Sequence, residues 1–193
     1  MTSLLTRLFI KDPENVKDNA TREQYGSLSG VVGIICNLIL CIFKIAVGAL
    51  THSISIIADG FNNLSDMGSS VITILGFKLA NKPADKDHPF GHGRIEYMSA
   101  FIVAILILLV GFELMKTSVG ALIDGTPMPT YSLVSIIILA VSVVFKLWLF
   151  LFNRKIGKKI ESETLLATAQ DSLNDSVATA VILLSVAVSK LVP

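Results

Sequence analysis

The chain has 193 residues, of which 52% are apolar and only 16% charged. A soluble domain carries about 25% charged residues, so the composition argues against a soluble globular protein and for an integral membrane one. The formal net charge of +1 supplies no global basic field, and nucleic acid is not an expected partner.

In chain order, the first element is a short apolar stripe, Leu4, Leu5, Leu8 and Phe9, with Arg7 and Lys11 beside it. Asp12 and Glu14 follow at once, which does not suit a cleavable signal peptide. A helix lying on the membrane surface fits better, with a frayed tail as the alternative. Residues 1–26 are read as an N-terminal segment and residues 27–193 as a transmembrane domain.

Five apolar spans then follow: about Leu28 to Leu50, Ser53 to Ala80, Tyr97 to Ile123, Tyr131 to Phe152 and Leu165 to Leu191. Each exceeds the roughly 20 residues that a helix needs to cross the hydrocarbon. The runs are too long for barrel strands and lack their alternation. The expected fold is an all-helical integral membrane bundle with five transmembrane helices. Tyr97, Tyr131 and Trp148 sit near span ends, where amphipathic rings favour the interface. Cys36 and Cys41 share the first span and form neither a disulfide scaffold nor a CxxC site.

Charge sets the expected orientation. Lys and Arg precede the first span (Arg7, Lys11, Lys17, Arg22) and fill two connections (Lys82, Lys86, Arg94; Arg154, Lys155, Lys158, Lys159). Thr51–His52 and Asp124–Thr130 hold none. The positive-inside rule places the N-terminus and both basic connections in the cytoplasm, with the chain multi-pass in the cell membrane. An odd number of spans puts the C-terminus outside. Ending on Leu191-Val192-Pro193 directly after a span reads as a truncation.

The chemistry lies in what interrupts the spans. Ionisable groups at membrane depth are costly, so each is a functional candidate. The second span contains Asp59, Asn62 and Asp66, and the fifth contains Asp171 and Asp175. Asn62/Asp66 and Asp171/Asp175 are i, i+4 pairs, each stacked on one helical face. At 1.5 Å per residue, the first pair lies roughly 14–20 Å from its point of entry and the second roughly 9–15 Å. Both approach the middle of a hydrocarbon slab about 30 Å thick. Antiparallel packing would bring three carboxylates and one amide together, and a divalent cation would neutralise them. Plain helix packing through Gly60, Ser65, Gly68, Ser69 and Ser70 is the competing reading. Lys44, Glu113, Lys116 and Lys146 are read as snorkelling or pairing near span ends.

ADGFNNLSD in the second span, PADKDHPFGHGRIE after it and DSLND in the fifth resemble the cation diffusion facilitator family from about residue 27 onward. The resemblance implies export of divalent metal from the cytoplasm by proton-coupled antiport, in a homodimer, with no enzymatic activity and no resident cofactor. It implies a central site of Asn62, Asp66, Asp171 and Asp175, with Asp59 an accessory position just outside the usual set. Members typically have six helices and a cytoplasmic metal-binding domain; this chain supplies neither the sixth helix nor that domain. Zinc-transporting relatives place Asp or His at position 62 and His at 171, so Asn and Asp here resemble the manganese-transporting branch. The donor chemistry agrees, because an all-oxygen set suits a hard cation such as Mn²⁺ better than zinc.

Asp85, Asp87, His88 and His92 form a second group in the loop after the second span. Pro89, Gly91 and Gly93 make a regular helix there unfavourable. The resemblance implies a second metal site through Asp85, His88 and His92; hydrogen-bonded loop residues are the alternative. His52 is read as solvated.

The resulting expectation is an Mn²⁺ exporter with alternating access, with metal ions, protons and the lipid bilayer as partners. A zinc, iron, cobalt or cadmium exporter of the same family is one alternative, and a non-transporting metal-binding scaffold another. An intramembrane aspartyl protease would need a GxGD signature that is missing.

Overall fold

A computed structural model describes residues 6, 8–10, 12–52, 54–125 and 132–191, and all its long elements are helical. They are α1 (Asn19–Leu50), α2 (Ile54–Ala80), α3 (Ile95–Ile123), α4 (Leu133–Lys159) and α5 (Glu163–Leu191). Among the described residues, α1, α3, α4 and most of α5 are long and apolar enough to cross a membrane. With five long helices, the all-helical multi-pass fold expected from the sequence is the one observed. α2 has the length but not the apolarity, because Asp59, Asn62, Asn63, Ser65 and Asp66 interrupt its first half up to the midpoint. It is sheltered instead by α1, its main packing partner.

The helices run further than their apolar cores. α1 starts at Asn19, where the Asp18 carboxylate caps the Thr21 N–H at 3.1 Å. α4 continues past Phe152 through Asn153, Arg154 and Lys155 to Lys159. Its inner face stays buried there (Phe152, Asn153, Ile156), so packing sustains the helix where hydropathy has ended. The link to α5 is only Ile160–Ser162: Glu161 takes a left-handed φ of 50° and Ser162 N–H bonds back to Gly157 C=O at 2.9 Å. That is a Schellman-type stop. At the opposite end His52, exposed and at φ 52°, closes the α1–α2 turn.

The apolar core lies at the basic-loop end, where Tyr25, Leu28, Phe77, Phe152, Ile156, Ile160 and Leu165 pack with Ile10. Of the N-terminal stripe, Leu8 and Phe9 are helical and exposed, while Leu4, Leu5, Arg7 and Lys11 lie outside the described residues, as does Tyr131. α1 and α2 approach so closely that a Cβ on Gly26 would sit 2.1 Å from Phe77 Cγ. Cys36 and Cys41 are buried free thiols.

The Arg22 guanidinium donates to both Glu96 oxygens at 2.9 Å and to the Ile160 carbonyl. Thr164 Oγ1 donates to the Glu96 carbonyl at 2.9 Å, and Ser29 Oγ to Asn153 Oδ1 at 2.5 Å. These bonds tie α1, α3, α4 and α5 together at the basic-loop end. α3 buries only Glu96, Ser99 and Val103 and then leaves the bundle, with Glu113 and Lys116 exposed on its outer half.

Candidate metal centre

The middle of the bundle is polar. Asn63, Ser69, Ser70 and Thr73 of α2 are buried, as are Thr168, Ser172 and Ser176 of α5. Most of the hydroxyls satisfy themselves on the carbonyl one turn back, such as Thr73 on Ser69 and Ser176 on Ser172, both at 3.0 Å. α2 and α5 touch only sparsely, whereas α4 packs extensively on α5. Space for a site is left between α2 and α5, with α4 closing one side.

Asp66, Asp171 and Asp175 converge there. Each offers one carboxylate oxygen, and these atoms lie within 4.8 Å of one another. Asp66 and Asp175 are each the thirteenth residue of their helix, so the cluster sits mid-span. Two carboxylate charges no further apart than that repel by at least about 3.5 kcal/mol at an effective dielectric constant of about 20. Something cationic must therefore be close. In this structure it is Lys146, whose Nζ donates to Asp66 Oδ2 at 2.5 Å and to Asp175 Oδ2 at 2.6 Å. The Lys146 side chain is 5% exposed, against 12% for Asp66 and 20% for Asp175.

A cavity of about 430 Å³ adjoins the cluster on the side of the α1–α2 turn; Asn62, Asp59, Lys44, Asn63, Ser142 and Asp175 contribute to its wall. Asn62 thus faces the same space as Asp175. Asp59 does not join the three carboxylates; it pairs with the buried Lys44, Nζ to Oδ2 at 2.8 Å. Both side-chain atoms of Asn63 and the Ser142 hydroxyl are buried and have no hydrogen-bond partner among the described residues. Buried polar atoms need partners, and a hydrated cation entering the cavity would provide them.

Lys44 fulfils the expected pairing near a span end. Lys146 is a correction: it is paired, but in the middle of a buried helix rather than near an interface. The signal lies in the helix bounds, which hydropathy alone placed too early, near Phe152. Lys146 is the fourteenth of 27 residues in α4, roughly 20 Å from either end, beyond the reach of a snorkelling side chain.

The loop group also converges. Asp85, His88 and His92 offer ligand atoms within 4.8 Å of one another, and the two rings stand 4.4 Å apart. No helix is needed, because Gly91, at φ 78°, turns the chain back and its N–H bonds to His88 C=O at 2.9 Å. Asp85 Oδ1 accepts from the backbone N–H groups of His88 at 2.7 Å and Asp87 at 3.1 Å, and lies 3.1 Å from His88 Nδ1. The His88 N–H, and then its ring, hold the Asp85 carboxyl below the usual carboxylate range. His92 donates from Nδ1 to the Pro83 carbonyl at 3.1 Å, so Nε2 faces Asp85 Oδ2 at 3.4 Å. Asp87 contributes its backbone rather than its carboxylate.

Residues 30–193 match the family described as the cation efflux transmembrane domain. The manganese efflux system proteins MneS and MneP of Bacillus subtilis are 32% and 33% identical to the chain, over 78% and 81% of its length. Magnetosome protein MamB of Magnetospirillum gryphiswaldense is 31% identical over 79%. The alignments cover 52%, 52% and 51% of these relatives, so the chain spans about half the length of the curated relatives it matches. The motifs in α2, the following loop and α5 are thus those of a known transporter group, and the chain belongs to the cation efflux, or cation diffusion facilitator, family of membrane transporters, not to an enzyme family.

Proposed function

We propose that the chain forms the membrane domain of a divalent-cation exporter that carries Mn²⁺ out of the cytoplasm through Asn62, Asp66, Asp171 and Asp175. The observation that carries this reading is the meeting of three carboxylates from α2 and α5 at mid-helix beside a polar cavity. A mobile divalent ion is the substrate that resolves such a charge cluster, and an oxygen-only set favours manganese over softer metals. The names of MneS and MneP point the same way.

Protons and metal compete for the same carboxylates, which couples release of one to uptake of the other. Antiport needs no separate proton relay on this reading. Exchange requires the Arg22–Glu96 tie at the basic-loop end to open when the cavity side closes. The charge asymmetry of the loops favours a cytoplasmic N-terminus in the cell membrane, and the family resemblance favours a homodimer. A related exporter of zinc, iron, cobalt or cadmium uses the same ligands with altered preference.

Mn²⁺ titration of the purified chain, followed by the electron paramagnetic resonance signal of free Mn²⁺, tests the site. With His88→Ala and His92→Ala in place to silence the loop group, binding is expected in the parent and weakened about a hundredfold or more in both Asp66→Ala and Asp175→Ala. Undiminished binding in both variants would overturn the assignment.

A second metal site in the loop is favoured by one specific contact. With its proton fixed on Nδ1 by Pro83, His92 turns Nε2 toward a carboxylate oxygen, and a shared cation joins the two. Asp85, His88 and His92 are its ligands.

A further inference from the structure

Lys146 places a permanent cation where the transported one must go. Its Nζ is 2.5 Å from Asp66 Oδ2 and 2.6 Å from Asp175 Oδ2, so it sits between the α2 and α5 halves of the cluster. A divalent ion bridging those carboxylates needs the same position, and the two charges cannot share it. Resting on the site reading above, we propose that Lys146 is the resident counter-cation of the empty transport site, and that metal binding is an exchange in which the divalent ion displaces its ammonium group.

The displaced ammonium has somewhere to go. Lys146 itself lines the cavity beside the cluster, together with Ser142 one turn earlier on α4 and Asn63 on α2. Ser142 Oγ and Asn63 Oδ1 are buried acceptors without a partner among the described residues. The lysine stem is flexible and carries three rotatable donors, so it can swing from the carboxylates to these oxygens. Two separate features, a filled cluster and unfilled acceptors beside it, are explained by one movement.

This exchange gives the empty carrier a stable form. Three clustered carboxylates keep one fixed positive partner when the metal has left, and the partner steps aside without leaving the protein. It also sets a threshold: an entering ion must outcompete an ammonium held by two charge-assisted hydrogen bonds. A divalent ion does so more readily than a monovalent one, because its attraction to the carboxylates is doubled.

The test measures Mn²⁺ affinity of the purified chain at fixed pH and ionic strength. Lys146→Met keeps the stem and removes the competitor, and is expected to lower the Kd for Mn²⁺ about tenfold. A role in packing alone does not raise affinity. An unchanged or higher Kd in a folded Lys146→Met protein overturns the exchange. Should that variant not fold, Ser142→Ala decides: loss of the acceptor is expected to raise the Kd about threefold, and an unchanged Kd overturns the proposal. Asp175→Ala, run alongside, reports on the site reading separately. Read with His88→Ala and His92→Ala in place to silence the loop group, Mn²⁺ binding that survives Asp175→Ala at parental affinity refutes the site itself, whereas binding weakened there but not tightened by Lys146→Met refutes only the exchange.

Discussion

The two ligand clusters of this chain each gather their donor atoms within 4.8 Å and balance their charge by different means. In the membrane, Asp66, Asp171 and Asp175 are held by rigid helices and matched by the ammonium of Lys146. In the loop, Asp85 is held by a turn and matched by the backbone N–H groups of Asp87 and His88, with the His88 ring beside it. Burial explains the difference. The Asp85 side chain is 52% exposed, and water screens its charge without help from a fixed cation. Asp66, at 12%, has no such recourse. Three carboxylates gathered out of water therefore need a fixed positive partner, while a single exposed carboxylate does not.

The largest expected effect separates the two clusters outright. Asp175→Ala removes one carboxylate and leaves Lys146 paired with Asp66 alone. Mn²⁺ affinity at the central site should fall by about a hundredfold or more, equivalent to roughly 2.7 kcal/mol. The loop ligands are on another element and should keep their affinity. Calorimetric titration resolving two classes of site would show one lost and one retained; loss of both would mean that the clusters are coupled.

Ligand type comes next. Asn62→Asp with Asp171→His installs an anion and an imidazole in place of an amide and a carboxylate, the set that the resemblance associates with zinc. Imidazole shifts preference toward Zn²⁺. The ratio of Zn²⁺ to Mn²⁺ affinity should rise about tenfold, or about 1.4 kcal/mol. Competition between the two metals on the double variant measures this directly. An unchanged ratio would leave the site in place and remove donor hardness as the cause of its selectivity.

The contrast between membrane and loop also separates what the sequence disclosed from what it hid. Asp66, Asp171 and Asp175 were legible because carboxylates in the middle of apolar spans cost too much to serve packing alone. Asp85, His88 and His92 were legible by residue type, although the Gly91 turn, rather than helical spacing, brings them together. Lys146 was misplaced for a physical reason. Hydropathy ends near Phe152, which put Lys146 six residues from a supposed interface, whereas burial of Asn153, Ile156 and Gly157 carries α4 to Lys159. Helix ends follow packing, and packing is not visible in a hydropathy profile. The partnering of Asp59 with Lys44 was hidden likewise, since it joins α1 to α2 across the interior.

A smaller effect probes the frame that holds the central cluster. Gly26→Ala would drive a methyl group into the Phe77 ring and part α1 from α2 at the basic-loop end. Overpacking of this kind costs about 1–3 kcal/mol. Thermal unfolding in detergent should show a lower midpoint, while Mn²⁺ affinity of the folded fraction changes little. A matching loss of affinity would show that the site depends on this contact as well as on its own ligands.

The smallest effect belongs to the loop and runs with pH. The Asp85 carboxyl is held below the usual range because its ionised form accepts the His88 N–H, and then because the His88 ring lies beside it. A carboxylate depressed in the folded state stabilises the loop at pH above its unfolded value, near 4 for an ordinary aspartate, and ceases to do so as pH falls through the lower folded value. The contribution of the Asp85 carboxylate to order in residues 85–92 should thus be constant between about pH 7 and 5 and be lost only below about 4. Hydrogen exchange of the His88 amide, compared between parent and Asp85→Ala, reads this out. The parent should protect that amide at pH 5 and lose protection toward pH 3, and the variant should show little protection throughout. Metal bound to His88 and His92 would leave earlier, since an imidazole nitrogen must shed its proton to ligate. Protection that disappears together with the metal, well above pH 4, would mean that the ion and not the Asp85 hydrogen bonds orders the loop, and the two clusters would then share a single principle of construction.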